Sequence, residues 1–201
     1  EHATTATIKL FGPFKNATES YLTWDTVTDG TKTLTEGIGY RAGITSAGSL
    51  TFTGTMKTGN VLRQLSNTGN GGAYKDWNLI GNPFSSYVDF DSFYDEQVSR
   101  DVLAGGYLAL YGYNATAAKW TVWDANDKDD GNLIAPGQGF FVKSATPTNS
   151  SILTTTKMRR IGTADDFIVG KTKANNFAHA KISLTSSKKT FNTNLYFREI
   201  N

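Results

Sequence analysis

The chain has 201 residues, of which 20 are lysine or arginine and 18 are aspartate or glutamate, and it contains no cysteine. The basic residues are scattered and the net charge is only +2, so the chain lacks the concentrated positive surface that nucleic-acid binding needs. The lack of cysteine excludes disulfides, thiolate nucleophiles and sulfur-ligated metal sites. No apolar run approaches the roughly 20 residues that span a bilayer, so we expect no membrane insertion.

Short stretches that alternate polar and apolar residues predict β-strands along nearly the whole chain. In chain order they cover residues 6–11, 20–24, 39–44, 49–56, 77–80, 107–113, 119–123, 139–143, 151–155, 180–184 and 194–198. Turns rich in glycine, aspartate and asparagine separate them, as at residues 28–30, 67–72 and 129–132. This spacing predicts an all-β fold, an antiparallel β-sandwich that is jelly-roll-like, in a single domain over residues 1–201.

One stretch, residues 91–98, has a helical pattern instead. It begins with a candidate N-cap at Asp91, carries acidic residues early, and places its apolar residues on one face. We therefore expect at most one or two short helical turns in an otherwise β-rich chain.

Two blocks, at residues 76–84 and 134–143, have a structural interpretation of their own. In the first block Trp77 and Leu79 share one strand face, and we expect Trp77 to be a core anchor with Asn78 and Ile80 on the opposite face. Asn82 precedes a proline, which ends the strand and favours an Asx-turn. Residues 135–139 predict a tight turn that feeds a buried strand. The functional alternative is that Asn82 and Gln138 present their amides to a ligand.

Catalytic patterns are missing from the sequence. The two histidines, His2 and His179, do not lie in a metal-ligand pattern, and there is no Gly-x-Ser-x-Gly nucleophile motif. The 18 acidic residues could supply the carboxylate pair of a glycosidase, but no motif selects a pair. We therefore assign no catalytic residue, no metal and no cofactor.

The acidic loop at residues 124–132 is rich in the oxygen ligands that calcium prefers. When Gly131 is aligned with the glycine of an EF-hand loop, however, Lys128 and Asn126 occupy the preceding ligand positions, and a lysine there opposes cation binding. The alternative is a solvated hairpin tip, since aspartate, asparagine and glycine are also turn-forming residues. We favour the hairpin tip.

Aromatic residues on two successive predicted strands suggest a binding surface. Tyr111 and Tyr113 share one face of the first strand, whereas Trp120 and Trp123 lie on opposite faces of the second. If the strands form a hairpin, one aromatic set faces the core, and the other either faces solvent or packs under loops or against a neighbouring domain. An exposed aromatic strip beside polar side chains suits a polysaccharide. The candidate ligand-binding residues are Tyr113, Trp120, Trp123, Asp124 and Asn126.

Three blocks in this order carry a family resemblance: DWNLIGNPF at residues 76–84, IAPGQGFFVK at residues 134–143 and KMRR at residues 157–160. They resemble a β-rich module of large Bacteroidetes surface and secreted proteins, which commonly lies just upstream of the C-terminal signal of the type IX secretion system. The resemblance implies an extracellular or cell-surface location and contact with the secretion machinery through the parent protein. It also implies a further segment after Asn201 that leads to the secretion signal.

Three hypotheses for function follow. The first is a non-catalytic β-sandwich module of a cell-surface or secreted protein that acts as a stalk, spacer or adhesion unit, with a polysaccharide or a surface protein as partner. The alternative is a polysaccharide-binding module appended to an enzyme or adhesin. The third is an enzyme fragment, which needs a cleft with two close carboxylates. The solvent exposure of the aromatic rings separates the first two.

Overall fold

The computed structural model describes residues 8–24, 29–44, 54–67, 72–114, 117–145, 150–161, 177–185 and 190–198. The described residues form one α-helix and a set of β-strands whose pairings are all antiparallel. The chain therefore has the all-β, sandwich-like fold that its sequence predicts. The elements are β1 (Ile8–Lys15), β2 (Ser20–Tyr21), β3 (Tyr40–Ile44), β4 (Val61–Gln64), β5 (Trp77–Gly81), β6 (Tyr87–Asp89), α1 (Phe90–Ser99), β7 (Leu110–Asn114), β8 (Lys119–Trp123), β9 (Leu133–Ile134), β10 (Gly139–Lys143), β11 (Ser151–Thr154), β12 (Arg159–Arg160), β13 (Phe177–Thr185) and β14 (Thr190–Arg198).

The chain divides into two compact units, Glu1–Val169 and Gly170–Asn201. In the second unit β13 and β14 form an antiparallel hairpin whose register runs from Phe177 opposite Arg198 to Thr185 opposite Thr190. Both strands were predicted, and each is longer than its sequence pattern indicated. The organisation of residues 1–201 as a single domain stays a prediction.

In the first unit a four-stranded sheet with the order β5-β10-β7-β8 organises the molecule. Because residues directly opposite each other on paired strands point to the same side, the register defines two faces. We call one the core face; its residues include Asn78, Ile80, Leu110, Trp123, Phe140 and Val142. We call the other the aromatic face; it carries Trp77, Leu79, Tyr111, Tyr113, Trp120, Val122 and Phe141.

The segment of residues 37–39 covers the free edge of β5. The Gly39 N–H donates to the Leu79 carbonyl at 3.0 Å, and the Gly81 N–H donates to the Gly37 carbonyl at 3.1 Å. A Cβ atom at Gly39 would lie only 2.6 Å from Cγ of Leu79, so this close approach requires glycine. With the β5 edge covered, the remaining edge of the four-stranded sheet in the described part of the chain is β8.

Helix α1 closes the core face. Phe93 meets Phe140 edge-on at a ring-centroid distance of 5.6 Å, and both rings are fully buried. The buried Gln97 side chain links the helix to β11, because its Nε2 donates to the Leu153 carbonyl at 2.9 Å and its Oε1 accepts the Leu153 N–H at 3.0 Å. The amide is thus satisfied inside the apolar core, as a buried polar group must be.

The helix differs from its prediction in length and in cap. It spans ten residues, or about three turns, and begins at Phe90, so the expected one or two short turns were too few. Asp89 is the N-cap, since its side chain accepts the Ser92 N–H at 2.9 Å; the assignment to Asp91 was wrong. The helix begins before residue 91 because Phe90 also packs into the core.

The expectation that Trp77 anchors the core was also wrong. Asn78 and Ile80 are the buried residues of β5, whereas Trp77 is half-buried on the aromatic face. Both faces of this strand carry large apolar residues, so a period of two could not decide which face turns inward.

Several strand predictions need a further correction. The strands β4, β6, β9 and β12 were missed because each has only two to four residues. Of the predicted strand at residues 49–56, residues 54–56 are not in a strand, and the rest lies outside the described residues.

Candidate functional site

Strands β7 and β8 form a hairpin, which separates the candidate site residues onto two faces. Tyr113 lies opposite Trp120 on the aromatic face, and these side chains are 48% and 53% exposed. Their rings meet edge-on at 5.5 Å and 69°, so they do not form a flat platform. Trp123 instead turns to the core face and packs against Phe90 at 5.2 Å. Trp120 and Trp123 therefore cannot contact one ligand from a common surface.

Asp124 and Asn126 organise the loop after β8. Oδ1 of Asp124 accepts the backbone N–H of Asn126 at 2.7 Å and its side-chain amide at 2.9 Å, while Asp127 accepts the Asp124 N–H. These bonds cap the short 3₁₀ helix Ala125–Asp127. Both candidate residues thus have a structural role in the turn.

The acidic loop at residues 124–132 is not a hairpin tip, and that interpretation was wrong. It connects β8 to β9, which pairs with β6 in a different sheet. Lys128 donates to Asp95 of α1 at 2.7 Å, and this hydrogen bond raises the pKa of the lysine. Among the described residues no group of three or more histidine, cysteine or acidic side chains is placed to hold a metal ion.

A groove of about 560 Å³ opens on the aromatic face of the sheet. Its lining is almost entirely aromatic and apolar, with one carboxylate: Phe14, Glu19, Tyr21, Tyr74, Trp77, Tyr111, Trp120, Val122 and Phe141. We call this the aromatic groove. Its size falls within the range of pockets that bind small ligands.

Phe141 of β10 forms the centre of the aromatic groove. Phe14 approaches it at a centroid distance of 5.3 Å from one side, and Trp120 approaches it at 5.8 Å from the neighbouring hairpin. The angles between the ring planes are 83° and 72°, which is the edge-to-face geometry that aromatic pairs prefer. Trp77 and Tyr111 continue the groove with a similar contact, at 4.9 Å and 79°.

The hairpin of β1 and β2 supplies one wall of the groove. Phe14 lies opposite Tyr21 in that pair, and both rings contact Phe141. The buried Asn16 amide between these strands donates to the Trp77 carbonyl and, at 3.3 Å, to the carbonyls of Ser66 and Lys75. This bonding fixes the wall to the edge of the sheet, so the groove is pre-formed rather than assembled by a ligand.

Burial and nearby charges shift the pKa values of two tyrosines that line the groove. Burial raises the pKa of Tyr21, and the Arg41 guanidinium, 4.3 Å above its ring, lowers it in part. Burial also raises the pKa of Tyr111, helped by Tyr107 and Asp124. Both phenols therefore stay protonated at neutral pH, and each can donate and accept a hydrogen bond.

Charged side chains at and beside the groove include Glu19, Lys143 and Arg41, whose guanidinium lies on the Tyr21 ring. Glu19 accepts the Tyr74 N–H at 3.2 Å, which holds its carboxylate at the rim. Lys143, beyond the Trp77 end, already has two partners: its ammonium is 3.6 Å from a carboxylate oxygen of Asp76 and 3.6 Å above the Tyr107 ring.

The amides of the two sequence blocks are used inside the fold. Oδ1 of Asn82 accepts the Phe84 N–H at 2.9 Å, which confirms the predicted Asx-turn, and its Nδ2 donates to the carbonyls of Ser86, Ile134 and Ala135. Gln138 accepts the Ala135 N–H at 3.0 Å across the predicted tight turn. Gly137 makes this turn possible with a φ of 70°. The alternative in which these amides face a ligand was wrong for Asn82, whose amide is buried and bonded through both atoms, and it stays a prediction for Gln138.

Sequence reasoning missed most of the groove. Phe141 could have been found, because it alternates with the buried Phe140 and Val142 along β10. Phe14, Tyr21, Glu19 and Tyr74 carried no such signal, since they come from distant segments that only the fold brings together.

Comparison with known families gives the chain a family but not an activity. A family model described as a domain of unknown function, DUF8693, matches residues 5–196. The chain belongs to this family. No curated protein and no solved structure matches it. In the part of the chain that the structure describes, no helix combines the length and the apolar character needed to cross a membrane.

Proposed function

We propose that this DUF8693 domain is a non-catalytic module of a cell-surface or secreted protein that binds a polysaccharide in the aromatic groove. The observation that carries the proposal is the groove itself, about 560 Å³ in volume and lined by aromatic rings from two hairpins and a central strand. Sugars bind to aromatic rings through their C–H groups, while nearby polar atoms bond their hydroxyls. The tyrosine hydroxyls and the Glu19 carboxylate can supply those polar atoms.

The exposure of the rings supports binding over packing. Tyr113 and Trp120 are 48% and 53% exposed although they lie on a four-stranded sheet. Large apolar groups that stay exposed next to a pre-formed groove commonly mark an interaction site. Among the described residues that line the groove, Glu19 is the single carboxylate, whereas a glycosidase needs two. This supports a binding module rather than an enzyme fragment.

The extracellular location rests on the resemblance of the blocks at residues 76–84, 134–143 and 157–160 to modules of Bacteroidetes surface proteins. In such a setting the domain would be delivered by the type IX secretion system through its parent protein. A surface-bound polysaccharide then becomes accessible to the groove. Fractionation of the native host, followed by protease treatment of intact cells, tests this location; an intracellular protein would contradict it.

A second candidate is a stalk or spacer, which one observation favours. The amides of Asn78, Asn82 and Gln97 all bond to backbone groups and so build a rigid module without a ligand. In that role the aromatic groove would be a packing surface for a neighbouring domain or a surface protein.

The deciding experiment is a binding screen of the purified domain against plant, marine and host polysaccharides by affinity electrophoresis, with and without calcium. We expect Trp120→Ala to lower the affinity for any bound glycan by at least about tenfold, as for a central aromatic contact. The matched control is Leu62→Ala, because Leu62 is also highly exposed (61%) but lies on β4, outside the groove. A screen without binding would favour the spacer.

A further inference from the structure

The shape of the aromatic groove restricts the kind of polysaccharide that it can take. Rings that bind the flat surface of a crystalline polysaccharide must lie in one plane. Here Phe141 is inclined by 72° to Trp120 and by 83° to Phe14, and Trp77 by 79° to Tyr111. The rings therefore form a floor with walls, which suits one chain in solution rather than a crystal surface.

The walls also restrict the sugar. The β1–β2 hairpin places Phe14 and Tyr21 on one side of Phe141, and the β7–β8 hairpin places Trp120 on the other. A sugar between them meets aromatic groups on more than one side. A pyranose whose ring substituents are all equatorial presents axial C–H groups on both faces, and equatorial β-linkages keep successive rings in an extended ribbon. An axial α-linkage bends the polysaccharide chain away from this extended ribbon.

The charge of the groove restricts the sugar further. Among the described residues of its lining the one charged residue is Glu19, a carboxylate, and the Arg41 guanidinium lies 4.3 Å above the ring of the lining residue Tyr21. The nearest lysine beyond the Trp77 end, Lys143, is occupied by Asp76 and by the Tyr107 ring. An acidic polysaccharide would meet like charge at Glu19, and the Arg41 guanidinium is already stacked on the Tyr21 ring, whereas a neutral sugar can donate a hydroxyl to the carboxylate.

From these observations we propose that the aromatic groove binds a single, neutral, β-linked polysaccharide chain with equatorial substituents. This inference rests on the proposed function and names the ligand class of the same site. The groove volume of about 560 Å³ corresponds to a short stretch of such a chain.

The test is calorimetric titration of the intact domain with soluble hexasaccharides of matched length. Cellohexaose and xylohexaose represent neutral β-linked chains with equatorial substituents; maltohexaose represents a neutral α-linked chain, and β-1,4-linked hexaglucuronate represents an acidic chain of the same linkage. Sedimentation with crystalline cellulose and chitin tests surface binding. We expect at least one neutral β-linked hexasaccharide to bind at least tenfold more tightly than maltohexaose and hexaglucuronate, without retention on the crystalline solids.

Two variants test whether binding takes place in the aromatic groove. Trp120→Ala should weaken binding of the preferred hexasaccharide at least tenfold, and Leu62→Ala should leave it unchanged. Because Trp120 is half-exposed, its loss should not prevent folding, which circular dichroism would verify. The quenching of tryptophan fluorescence on titration, reduced in Trp120→Ala, gives a second readout.

The outcomes separate the two proposals. A preference for the α-linked or acidic hexasaccharide, or binding only to crystalline solids, would overturn the ligand class but leave a glycan-binding module. The absence of binding to every glycan, or full binding by Trp120→Ala, would overturn both this inference and the proposed role of the groove.

Discussion

The core face and the aromatic face belong to the same four strands, yet they are buried to different degrees. On the core face, Phe140 and Val142 are fully buried beneath α1. On the aromatic face, Phe141, between them in sequence, is only half-buried because the β1–β2 hairpin covers part of that side. Apolar character is similar on both faces, so the difference lies in what covers each one.

This difference shows how a β-sheet can carry both a core and a binding site. A closed face removes all its apolar area from water and supplies stability, at roughly 25 cal/mol per Å². A partly covered face gives up some of that stability and retains a pre-formed groove that a ligand can complete. Residues on the two faces should therefore respond differently to substitution.

The largest expected contrast is between the neighbours Phe140 and Phe141. We expect Phe140→Ala to lower the free energy of unfolding by about 3–5 kcal/mol, because it leaves a cavity in a closed core. Phe141→Ala should cost about half as much, since part of its ring already faces the groove. Urea unfolding followed by tryptophan fluorescence measures both. Equal losses would mean that the aromatic face is packed as tightly as the core.

A smaller contrast is expected between two tryptophans of β8. Trp123 packs against Phe90 on the core face, so Trp123→Ala should lower the free energy of unfolding by about 2 kcal/mol. Trp120 is 53% exposed, so Trp120→Ala should cost less than about 1 kcal/mol while reducing glycan affinity. Thermal unfolding and titration of both variants check this. If Trp123→Ala reduced affinity without loss of stability, the assignment of the faces would be reversed.

The smallest expected effect is at alkaline pH. Burial raises the pKa of Tyr21 and Tyr111 above the ordinary value of 10.0, so the folded chain holds these protons more tightly than the unfolded chain. Their contribution to stability is complete below about pH 10 and is lost as the pH rises above it. The double variant Tyr21→Phe, Tyr111→Phe should therefore show a shallower alkaline decline in melting temperature.

The control for this pH effect is on the core side of the sheet. Tyr94 of α1 also has a raised pKa, first through burial and then through Asp124 and Asp95. Tyr94→Phe tests that contribution separately from the groove. An unchanged alkaline decline in the double variant would show that the groove tyrosines are as solvated as in the unfolded chain.

Local patterns predicted those parts of the fold that depend on neighbours in sequence. The strands β8 and β10 match their predictions residue for residue, since alternation over five residues is a local property. The turns at Asn82 and Gly137 follow from the chemistry of asparagine, proline and glycine. Predictions failed where a choice between faces was needed, as at Trp77, and where the loop at residues 124–132 crosses to another sheet.

By itself the sequence determined the all-β class, most strand positions and the turn chemistry at Asn82 and Gly137. Only the tertiary structure decided which sheet face is closed by α1, and that Phe14 and Tyr21 stand beside Phe141 to form a groove. The physical reason is the distance along the chain over which each effect acts. Strand period and turn preference act over a few residues, whereas coverage of a sheet face depends on segments more than a hundred residues apart in the chain, such as β1 and β10.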